Sequence, residues 1–202
     1  MSVDTVSTFL SVGALILLGC VTAVVLLRLG AIRSAAMRTG YESIRLSVEG
    51  LGMRLAWVMA LIATLGSLYY SEIAGFLPCE YCWYQRIAMY PLVIILGIAI
   101  VKGHAWIRPY VLGLAIPGGV IAVYHFVIER FPDLQVGECN LCIPCTVAWF
   151  RKFGIVTIPF MAFVSFAVII TVLLLDRSVK PESEPSTERP IADSQQPTAN
   201  SQ

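Results

Sequence analysis

"FLPCEYCWYQRIAMYPLVIILGIAI", residues 76–100, sets a Cys-x-x-Cys pair between Pro78 and Trp83, places Arg86 four residues after the second thiol, and then runs apolar. Two thiols and a cation at the mouth of such a run decide how the rest of the chain is read. A helix needs roughly 20 mostly apolar residues to cross a hydrocarbon core of about 30 Å. Counted between charged residues, five stretches approach that length: 5–27, 55–71, 87–101, 109–128 and 153–175. The third is short unless Trp83 to Arg86 belong to the same helix. Backbone polar groups find no water in lipid, so these stretches must be helical. The expected fold is an all-α integral membrane protein, a four-helix transmembrane bundle over residues 55–175 with one additional N-terminal transmembrane helix within residues 1–30.

Composition agrees. Of the 202 residues, 57% are hydrophobic and 13% charged, where a soluble domain carries about 25% charged residues. A net charge of +1 and the lack of a basic tract leave no electrostatic footprint for nucleic acid.

The charges are informative by position. Ten Lys and Arg residues, from Arg28 to Arg189, fall on one set of connections, and only Arg130, Arg151 and Lys152 on the other. The positive set is cytoplasmic by the positive-inside rule. The N-terminus is therefore expected outside, the C-terminus inside, and residues 72–82 and 129–152 on the extracytoplasmic side of the cell membrane. The first run lacks the basic n-region of a cleaved signal peptide and is long for one, so it reads as a retained helix. Residues 31–54 read as a cytoplasmic basic connector, in which Ile44, Leu46 and Val48 leave an interfacial helix open. Residues 176–202, rich in Pro, Ser, Glu and Gln and without aromatics, read as a disordered cytoplasmic tail.

There are six cysteines. Cys20 lies inside the first run and reads as a small apolar filler. The others, Cys79, Cys82, Cys139, Cys142 and Cys145, fall on the extracytoplasmic side, where disulfides persist. The Cys79/Cys82 spacing suits reversible dithiol chemistry. If a helix starts there, its free amides and dipole favour a thiolate, and a thiolate is the species that attacks disulfides. Arg86 would lie on the same helix face as Cys82, about one turn deeper. Its desolvation argues for an anionic or electron-rich partner; the alternative is snorkelling toward headgroups beside Trp83 and Tyr84. His125 would lie near the extracytoplasmic end of the fourth run, close to Arg86 if those helices pack side by side.

The second cluster, "GECNLCIPCTVAW" at 137–149, spaces Cys139, Cys142 and Cys145 evenly. It begins like an iron–sulfur signature, but no cysteine stands where the fourth ligand would fall. Zinc ribbons keep their two pairs about 15–20 residues apart, whereas two membrane runs intervene here. No resident metal is expected. Two other classes remain as alternatives: a membrane metal-binding or transport module, and a structural membrane protein stapled by inert disulfides.

Taken together, "LPCEYCWYQRIAMYPLVIILGIAI", the histidine of "VYHFVIERFP", the cluster ending "IPCT" and "FGIVTIPFMAF" resemble the DsbB/BdbC disulfide-bond formation proteins, particularly the short BdbC type. The resemblance covers about residues 55–175. It implies a four-helix membrane enzyme, a quinone-dependent protein thiol–disulfide oxidoreductase, that reoxidises an extracytoplasmic thioredoxin-like oxidase of the DsbA/BdbD type. Electrons would pass to a membrane quinone, menaquinone or ubiquinone. By position, Cys79 and Cys82 match the quinone-proximal pair, Cys82 the thiolate that contacts the quinone, Arg86 the residue that stabilises it, and His125 the quinone-side histidine. The family's loop pair, five residues apart, selects Cys139 and Cys145, with Cys139 making the mixed disulfide with the partner. Cys142 departs from that pattern and is a possible alternative partner of Cys145. The first run, 5–27, lies outside the four-span plan.

Overall fold

The structure, a computed structural model, describes residues 2–135 and 144–176. Six α-helices occur among them: α1 (Val3–Gly30), α2 (Ala35–Val48), α3 (Gly52–Leu68), α4 (Glu80–Lys102), α5 (Arg108–Arg130) and α6 (Ile158–Leu175). All but α2 are long and apolar enough to cross a membrane, α3 when counted through Ile73. The all-α expectation holds for the described residues, whose extended structure is limited to a single bridge between Lys152 and Val156.

Helices α3, α4, α5 and α6 form a closed ring, each packed on its two neighbours, and α1 lies against α6 and α2. Small residues allow the close approach. Ala56, Ala60, Ala88, Ala115 and Ala122 are buried around Leu92, Leu96, Phe166 and Ile169, and without a hydrophobic drive in lipid such dispersion contacts hold helices together. A Cβ at Gly118 on α5 would press into the Phe166 ring and come within 2.9 Å of Ala88 Cβ. At the opposite end from the cysteines, Asp176 Oδ2 accepts from Gly52 N at 3.0 Å and Oδ1 from Gly50 N at 3.2 Å. The carboxylate after α6 thus caps α3, where the helix dipole favours negative charge.

Three boundaries differ from the apolar runs. Helix α4 starts at Glu80, so Trp83 to Arg86 belong to it and the span is full length. Helix α3 ends in a π turn, Tyr69–Ile73, in which Ala74 N reaches back to Tyr69 O at 3.0 Å. The last helix starts at Ile158, not Phe153. Phe153 and Gly154 take φ of 49° and 75°, and the bridge between Lys152 and Val156 closes a tight turn there. Residues 35–48 are a helix, one of the two forms the sequence leaves open. The tail expected beyond Asp176 lies outside the described residues.

Candidate redox site at the end of the bundle

Pro78 and Cys79 start α4. Cys79 is extended, with φ −73° and ψ 174°, and caps the helix: its Sγ accepts from Cys82 N at 3.4 Å. That geometry places the Cys79 and Cys82 sulfurs 2.7 Å apart as free thiols, within reach of the disulfide length of about 2.05 Å after a small shift. Cys79 is buried. Hydrogen bonding from the Cys82 thiol holds the Cys79 thiol well below the usual range, down to about 5, against the opposing effect of burial and with further help from His125.

His125, on α5, is 3% exposed. Its Nε2 lies 3.1 Å from the Cys145 carbonyl oxygen and 3.5 Å from Cys79 Sγ, and its Nδ1 lies 3.0 Å from Gln85 Nε2. A carbonyl only accepts, so Nε2 carries a proton and donates. In the neutral ring Nδ1 then accepts from the Gln85 amide, which fixes the tautomer. The single imidazole N–H is shared between the Cys145 carbonyl oxygen and the Cys79 sulfur.

Cys145 is 1% exposed, is disulfide-bonded, and packs with Cys79 and Ile128. Cys20, Cys79 and Cys82 are free. The expectations for Cys139 and Cys142 fall outside the described residues. Cys20 is exposed on α1.

The two thiols of the pair face different surroundings. Cys82, and not Cys79, lines a cavity of about 300 Å³ bounded by α1, α3, α4 and α6. Gln85, Arg86 and Ser67 line it too, and the rest of its wall is mainly apolar. Arg86 donates from Nε to Ser67 Oγ at 3.0 Å and from Nη2 to Ser67 O at 3.3 Å. Its guanidinium lies over the Trp83 ring, 5.4 Å from the centroid. The cation is thereby tied to α3 instead of extending freely to headgroups. Tyr70, Phe76 and Trp149 also line the cavity and stack, with centroids 5.7 Å and 4.9 Å apart along the stack. His125 does not line this cavity; it stands on the Cys145 side of the pair.

A pocket of this size, mainly apolar with a few convergent polar groups, has the form of a small-molecule site. The residues present fit a quinone: a flat ring with two carbonyl acceptors suits an apolar slot containing a guanidinium and a thiol. A metal fits less well. Cys79 Sγ, Cys82 Sγ and a His125 ring nitrogen lie within 4.8 Å of one another. However, tetrahedral bonds of about 2.3 Å hold two thiolates well beyond 3 Å apart, whereas these sulfurs are at 2.7 Å, and both imidazole nitrogens already have partners.

Three of these residues carry no signal in the cysteine pattern. Gln85 and Ser67 are polar groups within membrane runs, a class that is costly unless used. Glu129, one turn beyond His125 on α5, is 7% exposed, and its Oε2 has no hydrogen-bond partner among the described residues.

Comparison with known proteins places this arrangement in context. Residues 51–175 match the family described as "Disulfide bond formation protein DsbB". "Disulfide bond formation protein C" of Bacillus subtilis is 47% identical over 128 residues, 63% of this chain and 93% of that protein. "Probable disulfide formation protein C" of Halalkalibacterium halodurans is 45% identical over 130 residues, 63% of this chain and 93% of that protein. "Probable disulfide formation protein" of Oceanobacillus iheyensis is 42% identical over 123 residues, 60% and 85% of the two chains. No solved structure matches the chain.

Proposed function

The chain belongs to the DsbB family of disulfide bond formation proteins, a multi-pass membrane protein with a thiol–disulfide oxidoreductase role, and from that premise we propose that it passes electrons from an extracytoplasmic thioredoxin-like oxidase to a membrane quinone. The observation that carries the reading is the division at the pair: Cys79 packs with Cys145 and hydrogen-bonds His125, while Cys82 faces the cavity beside Arg86.

The exchange runs in balanced steps. A partner thiolate attacks the loop disulfide that includes Cys145, and the partner's second thiolate then expels the loop sulfur, leaving the partner oxidised and the loop a dithiol. A loop thiolate, with Cys145 the sulfur packed on Cys79, next attacks Cys79 of the Cys79–Cys82 disulfide, and Cys82 leaves as thiolate. The second loop thiolate displaces Cys79 and restores the loop disulfide. The Cys79–Cys82 dithiol now holds the two electrons. A quinone bound in the cavity supplies the acceptor for those two electrons and two protons, so that the net change is partner dithiol plus quinone to partner disulfide plus quinol.

Each residue has a stated task. His125 N–H stabilises charge on Cys79, and Gln85 keeps that N–H in place. Arg86 holds negative charge on Cys82 or on a quinone oxygen, an effect that is strongest in a dry site. In the resting dithiol the anion sits on Cys79; Cys82 takes it when Cys79 is bonded to the loop sulfur. Cys139 is assigned the contact with the partner and Cys145 the pairing with it. The Lys and Arg distribution supports the cysteine end as extracytoplasmic.

The sequence of steps is tested by trapping. The unaltered chain with both disulfides formed, exposed to a reduced thioredoxin-like donor and quenched with acid at short times, should hold a Cys79–Cys145 disulfide, identified by peptide mass. A trapped Cys79 bonded directly to the donor, with the loop disulfide untouched, would overturn the order.

A further inference from the structure

Helix α1 lies outside the matched residues 51–175, yet Phe9, Leu10, Gly13, Ala14 and Leu17 form one wall of the cavity that holds Cys82 and Arg86. The wall is fastened at the cysteine end. Tyr70 OH donates to Ser7 Oγ at 3.2 Å, and Lys152 pairs with Asp4. The cavity is deep as well as closed on this side. It follows α3 and its π turn from Met59 to Tyr70 and α1 from Phe9 to Leu17, about 16 Å and about 12 Å of helix at 1.5 Å per residue. That is deeper than a quinone ring needs. Its charged and thiol groups, Arg86 and Cys82, lie at the shallow end, while Leu17 and Met59 lie at the deep end.

We propose that α1 is the wall that holds the prenyl tail of the quinone, an added binding element that makes the site select long-chain over ring-only acceptors. The inference rests on the quinone reading above. A polar ring at Cys82 and Arg86 leaves an isoprenoid chain to run inward between α1 and α3, where burying apolar area is the only gain on offer. Gly13 sits on this wall, and a Cβ built there meets nothing within 4 Å. A side chain can therefore start from position 13 without a clash at Cβ, and a large one there would project from the cavity wall into the tail's path.

The test is a binding titration of the full-length protein with both disulfides formed, so that no electrons pass to the probe, read by intrinsic tryptophan fluorescence, to which Trp149 in the cavity lining contributes, with menadione as ring-only probe and menaquinone-4 as prenylated probe. Gly13→Phe should weaken menaquinone-4 binding by about tenfold or more and leave menadione within twofold. Gly19→Phe, on the same helix but outside the cavity wall, should change neither. Leu17→Ala, which removes volume instead of adding it, is the second variant if Gly13→Phe fails to fold, and should also weaken menaquinone-4 alone. Equal losses for both probes, or none for either, would overturn the role of α1 while the quinone site stands. If neither probe binds the unaltered chain, the quinone reading fails, and the tail wall with it.

Discussion

His125 Nε2 lies 3.5 Å from Cys79 Sγ, so α5 delivers an N–H donor to the thiol at the start of α4. The contact joins two segments separated by all of α4 and the turn that follows it. Together with the Cys82 thiol it makes Cys79 the anionic sulfur of the reduced pair, and a reduced form stabilised in this way is a stronger oxidant when it closes to the disulfide.

The first prediction concerns pH. With its thiol held down to about 5, Cys79 is a thiolate from there up to neutral pH, where an ordinary thiol of about 8.5 is mostly protonated. Alkylation of the reduced protein at Cys79 should rise through a midpoint near about 5. Cys82→Ala should move that midpoint upward most, because the Cys82 hydrogen bond is the largest cause, and His125→Phe should move it upward less. A midpoint indifferent to both substitutions would remove these two groups as the cause.

Arg86→Lys keeps the charge and loses the planar fork that bonds Ser67 twice. A hydrogen bond to a charged group is worth roughly 1.5–3 kcal/mol, so quinone affinity should fall by about tenfold to a hundredfold, with the loop disulfide still formed. Affinity unchanged within twofold would return Arg86 to a purely anchoring role.

Gly118→Val tests the packing that holds the site's helices together. The added Cβ meets Phe166 and Ala88, and overpacking of this kind costs roughly 1–3 kcal/mol. Thermal unfolding in detergent should shift downward, with the Cys79–Cys82 pair still able to close at low temperature. An unshifted transition would show that α4, α5 and α6 can move apart at no cost.

In the loop, Cys142→Ser should leave partner oxidation intact, while Cys145→Ser should abolish it. The reverse pattern would transfer the exchange role from Cys145 to Cys142.

Much of this was legible in the chain because membrane spans impose so few solutions. Five apolar runs could only be helices, and the Cys79, Cys82 and Arg86 spacing places all three residues near one end of α4. What local reasoning lacked was the packing of one helix on another. Arg86 and His125 do not meet, although α4 and α5 are neighbours. Successive helical residues turn by about 100°, so Gln85 faces His125 while Arg86 faces Ser67 on α3. Phe153 looked like the start of a span because it is apolar; its left-handed backbone and the turn to Val156 are invisible to hydropathy. The contribution of α1 to the cavity had no sequence signal, because a lipid-facing wall and a ligand-facing wall are written in the same residues.

The central claim is that Cys79 and Cys82 couple an extramembrane dithiol to a lipid-dissolved acceptor. Its most direct test is the rate of quinone reduction by the purified chain given a reduced thioredoxin-like donor, followed by the loss of quinone absorbance, for the unaltered protein and for Cys79→Ser and Cys82→Ser. Turnover should require donor and quinone together and be abolished by either substitution; quinone reduction that persists in Cys82→Ser would show that the pair is not the link between them.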